Sequence, residues 1–192
     1  MAKGSGGTRG GGASGNNGDA SMRGYSKGLA KAMADRQDEI WRSPTEHVSI
    51  FDKNGKEVFR NDNGTANSVE FDDKSVTNNI SIHNHPKGHS FSAGDVAGTI
   101  ENNGAELRVI GSNGRVFSLK RPKKGWGVTG EQAYEAYNRK YWSNYGKGSK
   151  YQSSYKGDKS VAKGRVDATV AHTTMKQLAK EFGWKYTYFK SK

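Results

Sequence analysis

A chain of 192 residues fits one domain with extensions, not two full domains. The absence of cysteine excludes disulfides, thiolate zinc fingers and thiol nucleophiles, so any metal must be held by histidines and carboxylates. The formal charge of +12 suggests a polyanionic partner, but it is unevenly placed: seven basic residues face four acidic ones in residues 1–44, seven face ten in 45–119, and 17 face five in 120–192.

Apolar residues follow the opposite distribution. Of the 28 Leu, Ile, Val and Phe residues, 20 lie in residues 40–119, so the acidic middle is expected to form the core. Residues 1–24 begin MAKGSGGTRGGGASGNNG and cannot bury enough apolar area to offset chain entropy; they read as a flexible Gly-rich arm. They contain no apolar stretch of a secretion signal, and no run in the chain approaches the ~20 apolar residues of a membrane span. The expectation is a cytoplasmic protein.

The core is expected over residues 25–120. SKGLAKAMADRQDEIW (26–41) reads as a helix stopped by Pro44, with Leu29, Ala32, Met33 and Ile40 roughly on one face. Val48, Ile50 and Val58 alternate on either side of the turn Lys53-Asn54-Gly55 and predict a hairpin. SVEF (68–71) is a candidate short strand, and NNISI (78–82) a strand that runs straight into His83. Ser92 is placed to cap a helix over 93–102 with Gly104 as its stop. Leu107, Val109 and Val116 to Leu119 flank Ser112-Asn113-Gly114 as a second hairpin. Together these predict a mixed α/β (α+β) fold in which a mixed sheet is flanked by helices.

Residues 121–192 form a basic, aromatic-rich extension. EQAYEAYNRKYWSNY reads as a helix with Tyr134, Tyr137, Tyr141, Trp142 and Tyr145 mainly on one stripe, KGSKYQSSYKGDKS as a mobile low-complexity segment, residues 165–182 as a helix ended by Gly183, and WKYTYFK as a strand. The cluster Lys120, Arg121, Lys123 and Lys124, with the lysines interleaved among aromatics beyond it, suits contact with nucleic acid or an acidic partner. The Tyr stripe equally suits a helix packed on the sheet.

The chemistry concentrates in Ile82-His83-Asn84-His85-Pro86-Lys87-Gly88-His89-Ser90-Phe91-Ser92-Ala93-Gly94-Asp95. Histidines at i and i+2 at the end of a strand put both rings on one side, and Pro86 turns the chain away. Asp95, on the first turn of the next helix, can fold back as a third ligand. Two imidazoles and one carboxylate suit zinc and leave a fourth position for water. A hydrolase would then need a general base, a carboxylate outside the ligand set. His89 sits in the connecting loop and, like Lys87, is a candidate substrate contact. His47 and His172 read as packing or surface histidines.

This segment resembles the JAMM motif of the JAB/MPN metalloprotease superfamily: an upstream Glu, His-x-His-Pro, a loop, then Ser-x-x-Asp. The upstream stretch Thr45-Glu46-His47-Val48-Ser49-Ile50, followed by Gly64-Thr65-Ala66-Asn67-Ser68, is similar to the RadC-like branch. The resemblance covers roughly residues 45–120 and implies a JAB/MPN-like (cytidine-deaminase-like) core carrying a helical extension. It implies one zinc per chain on His83, His85 and Asp95, Glu46 as general base, and Ser92 as hydrogen-bond donor to the oxyanion. The activity implied is cleavage of a peptide or isopeptide bond in a protein or peptide substrate. One departure is visible, since six residues separate His85 from Ser92 where the family's loop has seven. Two other readings compete. One is a non-catalytic binding or structural protein on the same fold, phage-encoded and acting in the virion or host cytoplasm, to which the arm and the Tyr/Lys-rich extension are suited. The other is a nucleic-acid hydrolase, weakened because Lys87 is the chief cation near the ligands.

Overall fold

The computed structural model describes residues 20–189. Ser26 Oγ accepts the Leu29 N–H and starts α1 (Lys27–Ile40), whose Leu29, Met33 and Ile40 are buried at helical spacing. The strands β1 (Val48–Phe51), β2 (Glu57–Asn61), β3 (Ile80–His85), β4 (Glu106–Gly111), β5 (Val116–Lys120) and β6 (Lys185–Phe189) form one mixed sheet in the order β2-β1-β3-β4-β5-β6. All neighbours are antiparallel except β3 and β4, which are parallel and joined by the crossover helix α3 (Ala93–Glu101). A four-residue helix, α2 (Asp73–Val76), leads into β3.

The period of two along each strand sorts side chains between two layers. Ile80, Ile82, Ile110 and Val116 pack with α1 on one face. Leu107, Val109, Phe117 and Leu119 pack on the other with α3 and the two C-terminal helices, α4 (Gly130–Ser154) and α5 (Lys159–Phe182). Every residue of β3 and β4 is buried, as a parallel pair covered on both faces requires. Each such fully buried aliphatic side chain contributes about 1.5–3 kcal/mol. The result is the expected mixed sheet flanked by helices. Among the described residues no helix is long and apolar enough to cross a membrane.

Several elements differ from expectation. Residues 1–19 of the expected arm lie outside the described residues, while its end is ordered: Ala20–Met22 form a 3-10 turn, Met22 joins the core under α1, and the Ser21 carbonyl accepts from Arg108 Nη2 at 3.1 Å. Residues 68–71 are not a strand. Both edges of β1 are already taken by β2 and β3, so the segment runs past the sheet and only lays Val69 and Phe71 against Val48 and Ile50. Helix α3 is closed by Asn103, at φ 52°, and not by Gly104 itself; the Gly104 N–H reaches Thr99 O and the Asn103 N–H reaches Ile100 O.

The segment expected to be mobile is largely helical, since α4 runs on to Ser154 and α5 begins at Lys159. Tertiary packing overrides the poor composition there. Asn144 Nδ2 donates to Thr174 Oγ1 and Gln177 Oε1, and a Cβ on Gly148 would come within 2.8 Å of Val166 Cγ1. Gly183 ends α5 in the left-handed region, and β6 pairs with β5 as its alternation predicts.

Candidate metal centre

Strand β3 ends with its two histidines on the face that carries α3. Their Nε2 atoms converge to 3.0 Å. Asp95, in the first turn of α3, places Oδ1 3.5 Å from His83 Nε2 and Oδ2 3.4 Å from His85 Nε2. The three donors lie within 4.8 Å of one another, a group that can hold a metal ion. Tetrahedral zinc with ligands at ~2.0–2.1 Å sets its donors ~3.3 Å apart, so the spacing fits.

The surrounding bonds fix the donor ends. His85 Nδ1 lies 3.0 Å from Ser90 O and 3.3 Å from His89 O, so its N–H donates there and Nε2 is left with its lone pair. His83 is fully buried with its ring edge-on to Phe71, and its Nδ1 has no hydrogen-bond partner among the described residues. Asp95 Oδ2 accepts the Ser92 N–H at 2.7 Å while Ser92 Oγ accepts the Asp95 N–H at 3.1 Å, a reciprocal box that starts α3 and orients the carboxylate together. Burial opposes the charge of Asp95, but the two imidazoles outweigh it and hold its carboxyl well below the usual range.

The six-residue loop from Pro86 to Phe91 is accommodated by a tight turn. The Gly88 N–H reaches His85 O at 2.9 Å with φ +73° at Gly88, and the loop rests on the β4–β5 turn, where a Cβ on Gly111 would come within 3.0 Å of Gly88 Cα. Tyr137 Oη of α4 donates to Phe91 O at 2.7 Å and ties down the residue before Ser92.

Glu46 precedes β1 and is 8% exposed. Its N–H donates to Thr65 O at 2.7 Å, which docks it on the Gly64–Ser68 segment. Burial pushes its carboxyl pKa up, and the nearby imidazoles of His85 and His83 only partly oppose this. Glu46, His85, Ser92 and Asp95 line one cleft of about 480 Å³. Lys87 and His89 line it too; Lys87 Nζ donates to Asn67 Oδ1 across it, and burial lowers the His89 pKa.

The four basic residues at 120–124 lie elsewhere and line no part of the cleft. Lys120 Nζ sits 4.1 Å over the Tyr25 ring and 3.6 Å from Glu106, Arg121 donates to Asn103 O and Asn78 Oδ1, and Lys123 and Lys124 are exposed. His172 Nδ1 bonds Tyr186 Oη at 2.7 Å. His47 does more than occupy surface. It joins Ser43 Oγ (2.7 Å) to Asp62 Oδ1 (2.8 Å) and so pins the segment carrying Glu46.

Sequence reasoning missed the far wall of the cleft, which Tyr137, Asn138, Tyr141, Trp142 and Asp167 supply from α4 and α5. The Tyr stripe marks a packed face, but nothing in its spacing says which element it meets. The fold and site thus define a mixed α/β protein with a His-His-Asp group in a cleft. No protein-family model, curated protein or solved structure matches the chain.

Proposed function

We propose that the chain is a zinc-dependent hydrolase of the JAMM type, on a JAB/MPN-like core, that cleaves a peptide or isopeptide bond. The observation that carries this reading is that His85 and Asp95 of the His83–His85–Asp95 group line the same cleft as Glu46, with His83 buried directly behind them. Zinc held by those three residues supplies Lewis-acid polarisation of the attacking water and the scissile carbonyl. Glu46 takes the proton of the attacking water and returns it to the leaving amine; its burial raises its proton affinity toward what a base needs near neutral pH. Ser92 uses Oγ as an acceptor within the α3 cap, which leaves its O–H to donate to the carbonyl oxygen as charge develops there. Tyr137 and the cap keep that hydroxyl in place.

The test is metal analysis of the purified protein combined with cleavage of a peptide library by wild type and Glu46→Gln. The reading expects one zinc per chain in both and cleavage only in the wild type. Absence of zinc overturns it, and zinc without cleavage makes the chain a binding protein on the same fold.

A further inference from the structure

The C-terminal helices do more than cover the sheet, because they furnish one wall of the cleft with a distinct chemistry. Trp142 is 64% exposed, and its ring is braced edge-on by Tyr141 and Tyr145 at centroid distances of 5.5 and 5.6 Å. Such bracing presents a fixed indole to solvent instead of a swinging one. From α5, Asp167 sets Oδ1 3.5 Å from the Tyr141 hydroxyl. The Asp167 side chain is only 13% exposed, whereas the Lys163 that pairs with it, four residues earlier on the same helix, is 57% exposed. Lys163 is thus a mostly solvated i,i+4 partner, and a better-placed cation entering from the cleft can displace it. His89 lines the same cleft with Nε2 buried and without a hydrogen-bond partner among the described residues.

An aromatic face and a carboxylate on one cleft wall match a side chain with a long stem and a cationic tip. We infer that this wall is a subsite for a cationic side chain of the polypeptide substrate, arginine above lysine. A guanidinium stacks flat on the indole and offers Asp167 a fork of donors, whereas an ammonium offers charge without a plane. An acidic side chain meets Asp167 and is rejected. The inference deepens the peptidase reading and rests on it for the identity of the ligand as a polypeptide.

Binding and cleavage are measured separately. The full chain carrying Glu46→Gln is titrated calorimetrically with two blocked peptides identical except for arginine or its neutral isostere citrulline. At least tenfold tighter binding of the arginine peptide is expected, with the ratio falling to near one when Asp167→Asn is added. Trp142→Ala, at a position 64% exposed, is expected to weaken arginine binding several-fold. Equal binding of the two peptides, or a preference that survives Asp167→Asn, overturns the subsite. Wild-type protein is incubated with a peptide library in parallel. Arginine preference without cleavage leaves the subsite standing and removes the peptidase reading; cleavage without arginine preference does the reverse.

Discussion

Asn84, between the two candidate metal-binding histidines, holds the chain on both sides of Glu46. Its Oδ1 accepts the His47 N–H at 2.8 Å and its Nδ2 donates to the Thr45 carbonyl at 2.9 Å. Alternation along β3 makes this possible, because His83 and His85 point toward Asp95 of α3 while Asn84, fully buried, faces the opposite side. One strand therefore carries two of the three candidate ligands and anchors the segment that bears Glu46.

Asn84→Ala leaves a half-buried N–H and a half-buried carbonyl without this partner and opens a small cavity, which together cost about 1–3 kcal/mol. Denaturant titration is expected to show a loss in that range. On the proposed hydrolase reading, zinc content is expected to stay at one per chain while kcat falls and KM holds, since His83 and His85 keep their strand and the segment bearing Glu46 loses its anchor. Equal loss of zinc and kcat would mean that Asn84 only stabilises β3.

Gly64 makes a similar demand in a simpler form. A Cβ there would lie 2.1 Å from Glu46 O and 2.8 Å from Ser68 O, both backbone atoms that have no rotamer to escape into. Gly64→Ala is expected to destabilise by about 1–3 kcal/mol, in the manner of an overpacked site. Thermal unfolding checks it, and a wild-type midpoint would show that the segment moves freely.

Metal removal should be read in stability as well as activity. A ligand that binds only the native state stabilises by about 2.7 kcal/mol when present at 100 times its Kd. Chelation of the wild type is expected to lower the unfolding midpoint, and His83→Ala is expected to abolish the difference between chelated and zinc-supplemented samples. A midpoint indifferent to zinc in the wild type would contradict metal binding at this site.

Arg108 is a fully buried cation that bonds Glu106 Oε1 at 3.0 Å, the Tyr25 hydroxyl at 3.1 Å and Ser21 O at 3.1 Å. Its removal takes the nearest cation from the buried Glu106, leaving it Lys120 at 3.6 Å with the Ser118 and Tyr25 hydroxyls, empties a fully buried volume and frees the turn at residues 20–22. Arg108→Ala is expected to cost about 3–5 kcal/mol. Limited proteolysis should then cut after residue 20 sooner than in the wild type; unchanged cleavage would show that this contact does not hold the turn.

His172 gives a pH signature. Burial, together with Lys176 on its own helix and Arg115 on the β4–β5 turn, lowers its pKa, while Tyr186 and Tyr188 of β6 face its ring. A native pKa below the unfolded value of about 6.5 means that the unfolded chain takes up the proton first. Its stabilising contribution is therefore complete above about pH 6.5 and is lost as pH falls toward the native pKa. His172→Gln is expected to lose less stability between pH 7 and pH 5 than the wild type, and the His172 ring is expected to titrate below 6.5 by NMR.

What was legible in the sequence was local. The His83, His85 and Asp95 set could be read because a strand end and a helix start bring them together within 13 residues. The hairpins were readable from Asn-Gly turns, and α1 from its cap and apolar spacing. What was hidden depended on distant partners. The roles of Asn84 and Gly64 exist only because β1 lies beside β3, the helix at 146–154 exists because α5 packs against it, and Trp142 reaches the cleft because Tyr137 docks on Phe91. Nor can composition show that Lys120 and Arg121 make internal contacts.

The parallel β3–α3–β4 crossover contains all three candidate ligands, whereas Glu46 arrives from an antiparallel neighbour 37 positions before His83. Contacts close along the chain form early and cheaply, while distant ones wait for larger loops to close. Since metal binding by such a unit is itself folding free energy, a nascent crossover that captures zinc gains a clasp before the rest of the sheet assembles. In that order a captured ion would act first as a folding nucleus, and the candidate site would be completed only when β1 brings Glu46 beside it.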